Sequence, residues 1–187
     1  MATRIHLIMA SSKLRIIDNR KKVTKVKILL ITLATSALVA TSSYAQDTLQ
    51  QTSIATTLAV DIAQAAVSAC SADGYNVSAA VTDRSGVLLA LVRADKAGPH
   101  TTNASTQKAF TSASSRNPTS AIAENVSKSP VAAGMVDIPG FLVLAGGVPI
   151  KVGADTIGAI GVAGAPGGNL DEACANQAIE KVGARIK

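Results

Sequence analysis

The 187 residues contain no tryptophan, and only two tyrosines and two phenylalanines. A core built from this chain must bury area with aliphatic side chains, packed close with alanine and glycine. Histidine is as scarce: His6 and His100 are the only two. The two cysteines, Cys70 and Cys174, form no C-x-x-C pair. A protein zinc site needs several His, Cys or carboxylate ligands, so this inventory argues against one. A Ser-His-Asp triad within the globular part would have to recruit His100, and no G-x-S-x-G elbow is present. Neither the G-x-x-x-x-G-K-[ST] loop nor G-x-G-x-x-G occurs, so the known glycine fingerprints for nucleotides are missing. Long apolar runs are missing too, with one exception at Ile28–Ala40.

The formal charge of +6 comes from 18 Lys+Arg against 12 Asp+Glu, but it is unevenly placed. Residues 1–45 hold eight of the bases and only Asp18 of the acids, which leaves ten bases against eleven acids, a net of −1, in the rest. The basic balance therefore belongs to the leader and is no footprint for nucleic acid. That leader has the form of an export signal. Arg20–Lys27 is a positive stretch, Ile28–Ala40 is an apolar run short for a bilayer span, and Ser43 and Ala45 put small residues at the −3 and −1 positions of a cleavage site. Residues 1–45 are expected to be a signal peptide, with either Met1 or Met9 as the start. No cysteine lies near the cleavage point for lipid anchoring. Residues 46–187 are then one domain, periplasmic or secreted, meeting the membrane only during export.

Along that domain, residues 46–73 are expected to be helical, because Leu58, Ile62, Ala65, Ala66, Ala69 and Cys70 recur on one helical face before the stop at Asp73-Gly74. Asn76–Asp83 and Val87–Arg93 are β-rich runs joined closely enough for an antiparallel hairpin. Gly98-Pro99 opens a helix that runs to about Ser115, and Asn117-Pro118 breaks it. Thr119–Lys128 forms a short helix, and Ser129–Gly140 is a loop. Phe141–Gly146, Pro149–Val152 and Thr156–Gly164 are three strand candidates, and Leu170–Ile186 is a closing helix. Short connections make the sheet antiparallel, so the class is α+β: a two-layer sandwich with about five strands.

The stretch "GVAGAPGGNLDEACA" (Gly161–Ala175) looks like a phosphate cradle only at first sight. Asn169 with Glu172 has the form of a capping box, and Asp171 and Glu172 place negative charge where a phosphate would sit. The loop is expected to be structural. The same stretch, within Leu144–Ala175, resembles the signature of the GlcG/HbpS family, which is also found as the C-terminal domain of PduO proteins. "VTDRSGVLLALVRADKAGPH" and "QKAFTSAS" are similar to the family's earlier blocks, and the resemblance spans roughly Leu58 to Val182. It implies a profilin- or PAS-like α+β sandwich, assembly into homo-oligomers, and haem or another small tetrapyrrole as ligand. Some members bind haem and others have no settled function.

His100 is then the candidate ligand for haem iron. At a helix start, where the positive end of the dipole disfavours a cation, a neutral imidazole nitrogen is available to a metal. Read as one stripe, His100, Ala104, Lys108 and Thr111 make a candidate cofactor-binding face. There Lys108 would meet a ligand carboxylate or, structurally, an acid such as Asp95. Tyr75, Met135 and the cysteines are the alternative iron ligands. Covalent c-type attachment is excluded, since no C-x-x-C-H exists. Cys70 and Cys174 are an even pair in an exported protein and form either a disulfide or two buried thiols. Three classes remain: a haem-binding protein that stores, senses or buffers its ligand, an enzyme acting on haem or a small organic acid, and an oligomeric interaction module without a ligand. Whether it is an enzyme is left open by the residues.

Overall fold

The computed structural model describes residues 48–187, so the expected signal peptide at 1–45 lies outside the described residues. The first helix, α1 (Thr56–Ala72), buries Leu58, Ile62, Ala65, Ala66 and Cys70, the face read from the sequence. It starts later than the expected residue 46. The Ile54 backbone N–H donates to the Ile157 carbonyl at 2.9 Å, so the approach to the helix is spent on the sheet. The strands β1 (Ser78–Asp83) and β2 (Leu88–Arg93) form the expected antiparallel hairpin. Asp83 closes its turn: one carboxylate oxygen accepts the backbone N–H groups of Ser85 and Val87 at 2.8 and 2.9 Å.

Two helices follow, α2 (His100–Ser115) and α3 (Thr119–Lys128). The expected loop after them contains a 3-10 helix, Pro130–Asp137. The strands β3 (Gly147–Val152) and β4 (Asp155–Ala163) and the helix α4 (Gly168–Val182) complete the fold, with a short 3-10 turn at Gly183–Arg185. The sheet order is β2-β1-β4-β3, antiparallel throughout. Pro149, which has no N–H to give a ladder, sits on the edge strand β3.

The α+β class with an antiparallel sheet is the observed one, but the sheet has four strands rather than about five. Phe141–Gly146 is the missing strand. Helix side chains claim its backbone groups: the Leu142 N–H donates to the Thr111 hydroxyl at 2.8 Å, and the Leu144 carbonyl accepts from the Thr119 hydroxyl at 2.8 Å. With those groups satisfied, the segment needs no ladder.

Alternation along the strands splits the sheet into two unlike faces. Val77, Ala79, Val81, Val148, Ile150, Ile160 and Val162 point to one side and build the apolar core with α1 and α4. The other side carries Ser78, Ala80, Thr82, Ala159 and Gly161, and α2 lies on it. Helices therefore cover both faces, where a two-layer arrangement was expected. Cys70 of α1 and Cys174 of α4 are joined in a disulfide, with Cα atoms 5.4 Å apart and both residues buried.

Candidate functional site

Helix α2 has an inner and an outer side, and the expected stripe is divided between them. The helix turns about 100° per residue, so His100 and Lys108, eight residues apart, point about 80° away from each other. Thr101, Ser105, Lys108, Ala109 and Ser112 face the sheet and are buried. Small residues opposite make this possible. A Cβ added at Gly161 would stand 2.0 Å from the Ser105 carbonyl oxygen, and one at Gly147 would stand 2.4 Å from that of Lys108. The helix backbone rests directly on these glycines, so Gly161, the first residue of the glycine-rich stretch, serves packing.

Lys108, expected beside a ligand carboxylate, is enclosed in the fold and is 1% exposed. Its ammonium donates to Asp171 Oδ2 and to the Val162 carbonyl, each at 2.9 Å. The structural partner considered from the sequence was Asp95; the acid in place is Asp171. The other Asp171 oxygen accepts the Ala165 N–H at 2.9 Å, which ties the β4–α4 loop to the same carboxylate. Burial raises the Asp171 pKa above its ordinary value, and the hydrogen bonds from Lys108 and Ala165 and the Lys108 charge work against that rise. Glu172, the next residue, accepts from the Ser120 hydroxyl at 2.8 Å and from the Gly146 N–H at 3.4 Å. The first turn of α4 therefore fastens α2, α3 and two loops.

In the sequence Asp171 is legible only as a helix-start charge and Glu172 also as half of a capping box; their side-chain partners, Lys108 and Ser120, are 63 and 52 residues away. Asn169 is not the cap it was expected to be. The cap position is Gly167 and makes no side-chain bond, so Asn169 lies inside the first turn. Thr111, the third expected cofactor residue, is also buried. Its hydroxyl donates to the Gln107 carbonyl and accepts the Leu142 N–H, both at 2.8 Å.

His100 alone of the expected set is open to solvent, as the first residue of α2. Seven residues on, Gln107 returns to within about 20° of the same direction, so the two share the outer side of the helix. Beyond Gln107 a shallow cleft of about 260 Å³ opens between α2, the β1–β2 turn and the Pro139-Gly140 bend. Leu88, Phe110 and Pro139 give it apolar walls, and Thr106 and Gln107 its polar ones. Phe110 meets Phe141 edge-on, with ring centres 6.0 Å apart and planes at 78°. Of the alternative ligands, Tyr75 packs against the core on the α1–α4 side, Met135 lies in the 3-10 helix, and both cysteines are consumed by the disulfide. Among the described residues no group of three or more His, Cys, Asp or Glu is placed to hold a metal ion.

Residues 54–180 match the family described as haem degrading protein HbpS-like. The chain is 40% identical over 90 residues to protein GlcG of Escherichia coli K12, a match covering 48% of this chain and 66% of that protein, just under two thirds. Among solved structures it is similar to a double-mutant form of Streptomyces reticuli HbpS, with 40% identity and a TM-score of 0.69 over 73% of this chain and 92% of that one. Klebsiella pneumoniae ORFY is 25% identical at a TM-score of 0.70, covering 74% of this chain and 96% of its own. A structure described as a PduOC:heme complex shares the fold at 18% identity and a TM-score of 0.62, covering 68% of this chain and 94% of that one.

Proposed function

The chain belongs to the family described as haem degrading protein HbpS-like, and on that premise we propose that it binds haem through the outer side of α2, with His100 as the iron ligand. The observation that carries this reading is the position of His100: exposed, at the first residue of a long helix, on the side that leads to the Phe110 cleft. The donor set suits haem better than a bare ion. A porphyrin brings four nitrogens of its own and asks the protein for axial donors only. A free metal ion needs a cluster, and none is present among the described residues. The description of a fold neighbour as a heme complex supports the same ligand.

In this proposal the protein is exported through residues 1–45, and its role is to store, sense or buffer haem outside the cytoplasm. It works as a homo-oligomer, for which the exposed Val87 and Leu91 near the edge strand β2 and Val131 and Val136 of the 3-10 helix offer apolar surface. The test is a hemin titration of the purified protein, followed by absorbance. Saturation of a shifted Soret band near one haem per subunit supports binding, and an unchanged spectrum opposes it. The family's description favours a second reading, degradation of haem. Loss of Soret intensity on adding a reductant to the complex would select it.

A further inference from the structure

The cleft beside Phe110 has a chemistry more specific than its size suggests. None of its lining residues is charged. Lys108, the one lysine or arginine of α2, is turned inward to Asp171 and is unavailable to it. The Thr106 hydroxyl is committed to the Thr102 carbonyl at 2.9 Å, which leaves the Gln107 amide as the polar group at the rim. A carboxylate entering here would give up part of its water without meeting a counter-ion, which is unfavourable.

The Phe110 ring is also held in place from several sides. A Cβ at Gly86 would stand 2.6 Å from its Cδ2, and one at Gly140 would stand 3.2 Å from its Cε1. Both glycines have positive φ, +84° and +85°, in turns from different parts of the chain. They let the two turns close on the ring, while Phe141 meets it edge-on. The aromatic wall is thus fixed before any ligand arrives, which lowers the ordering cost of binding. The 260 Å³ volume decides how much can enter. A dry cavity of about 150 Å³ accepts benzene, whereas whole drug-sized ligands occupy about 300–1,000 Å³. One ring and its substituents fit; a macrocycle does not.

We infer that this cleft receives one apolar edge of a tetrapyrrole, the side bearing methyl and vinyl groups, and leaves the carboxylates in solvent. The inference rests on the haem reading for its ligand class, but it concerns the macrocycle edge and needs no iron. Gln107, at the rim of the cleft, lies about 10 Å along the helix axis from His100 and within about 20° of its direction, so the cleft opens from the side of α2 that carries His100.

The probes are metal-free protoporphyrin IX, which has an apolar edge, and uroporphyrin, which carries carboxylates on every side. Porphyrin fluorescence is titrated with the purified protein. Protoporphyrin is expected to bind at least tenfold more tightly than uroporphyrin. Leu88→Glu puts a carboxylate into the cleft from a position 43% exposed, where the fold has room for it. It is expected to weaken protoporphyrin binding at least tenfold while circular dichroism stays unchanged. Gln107→Glu, on the outer side of α2, is a second variant with the same expected direction.

Equal affinity for the two porphyrins, or wild-type affinity in both cleft variants, overturns the inference. If hemin binds with a His100-dependent Soret band while both cleft variants bind normally, the cleft fails and the haem reading stands. If hemin gives no band while protoporphyrin binds and responds to Leu88→Glu, the haem reading fails and the cleft stands. Failure of every porphyrin to bind overturns both.

Discussion

Replacing Lys108 with methionine keeps an unbranched side chain, one atom shorter, and removes its charge. The change leaves Asp171, 3% exposed, without the ammonium that sits 2.9 Å from it. Removing one partner of a buried ion pair costs about 3–5 kcal/mol, because the remaining charge is uncompensated. The Val162 carbonyl loses a donor in the same step. Lys108→Met is therefore expected to lose about 3–5 kcal/mol in urea unfolding, and Asp171→Leu a similar amount. The double variant should recover most of this loss, since an apolar pair of similar volume is often neutral or better. The pH dependence of Asp171 has a definite sign. Its folded-state pKa lies above the ordinary 3.8, so between those two values the native state binds the extra proton. Its contribution to stability is fully present below 3.8 and is lost as pH rises through the folded value. Wild type minus Asp171→Asn should accordingly decline over that window. A Lys108→Met cost below about 1 kcal/mol, or a double variant as unstable as the sum of the singles, would refute the buried-pair account.

Non-reducing mass spectrometry should find a Cys70–Cys174 link, whose 104-residue separation is worth about 4–5 kcal/mol in the chain-entropy model; free thiols in protein protected from reduction would count against it. Gly161→Ala drives a methyl group to within 2.0 Å of the Ser105 carbonyl oxygen and should destabilise by about 1–3 kcal/mol or more. An unchanged melting temperature there would mean that α2 does not rest on the sheet as described. Protein recovered from a Gram-negative host should begin at Gln46, and a cytoplasmic chain that keeps Ile28–Ala40 would end the export proposal.

The parts of the fold set by local chemistry were readable from the residues. Gly98-Pro99 and Pro118 mark the ends of α2 and the start of α3, and both helices are found there. The hairpin around Asp83–Gly86 and the apolar face of α1 were equally plain. What escaped depends on partners distant in the chain. Phe141–Gly146 has the composition of a strand, but the hydroxyls of Thr111 and Thr119 satisfy its backbone. Lys108 and Thr111 looked like ligand contacts because they are polar. They are buried because glycines on the sheet side let α2 approach closely and the Leu142 segment bonds Thr111, and only the pairing with Asp171, 63 residues away, reveals why a lysine is tolerated there. Asn169 misled for a local reason: the helix starts at Gly168, one residue before it, so its side chain is inside the first turn. In the glycine-rich stretch, the close approach of Gly161 to Ser105 is invisible without the fold.

The central claim is that haem iron is held by His100 on the outer side of α2. The most direct test is the Soret band of the hemin complex in wild type, His100→Ala and Thr102→Ala, the last a control on the same helix. Among residues 48–187 no other histidine can replace His100. The expected result is a shifted band and weakened binding in His100→Ala alone. If His100→Ala binds hemin with the wild-type spectrum and affinity, the iron is held elsewhere, and the account of this site is wrong.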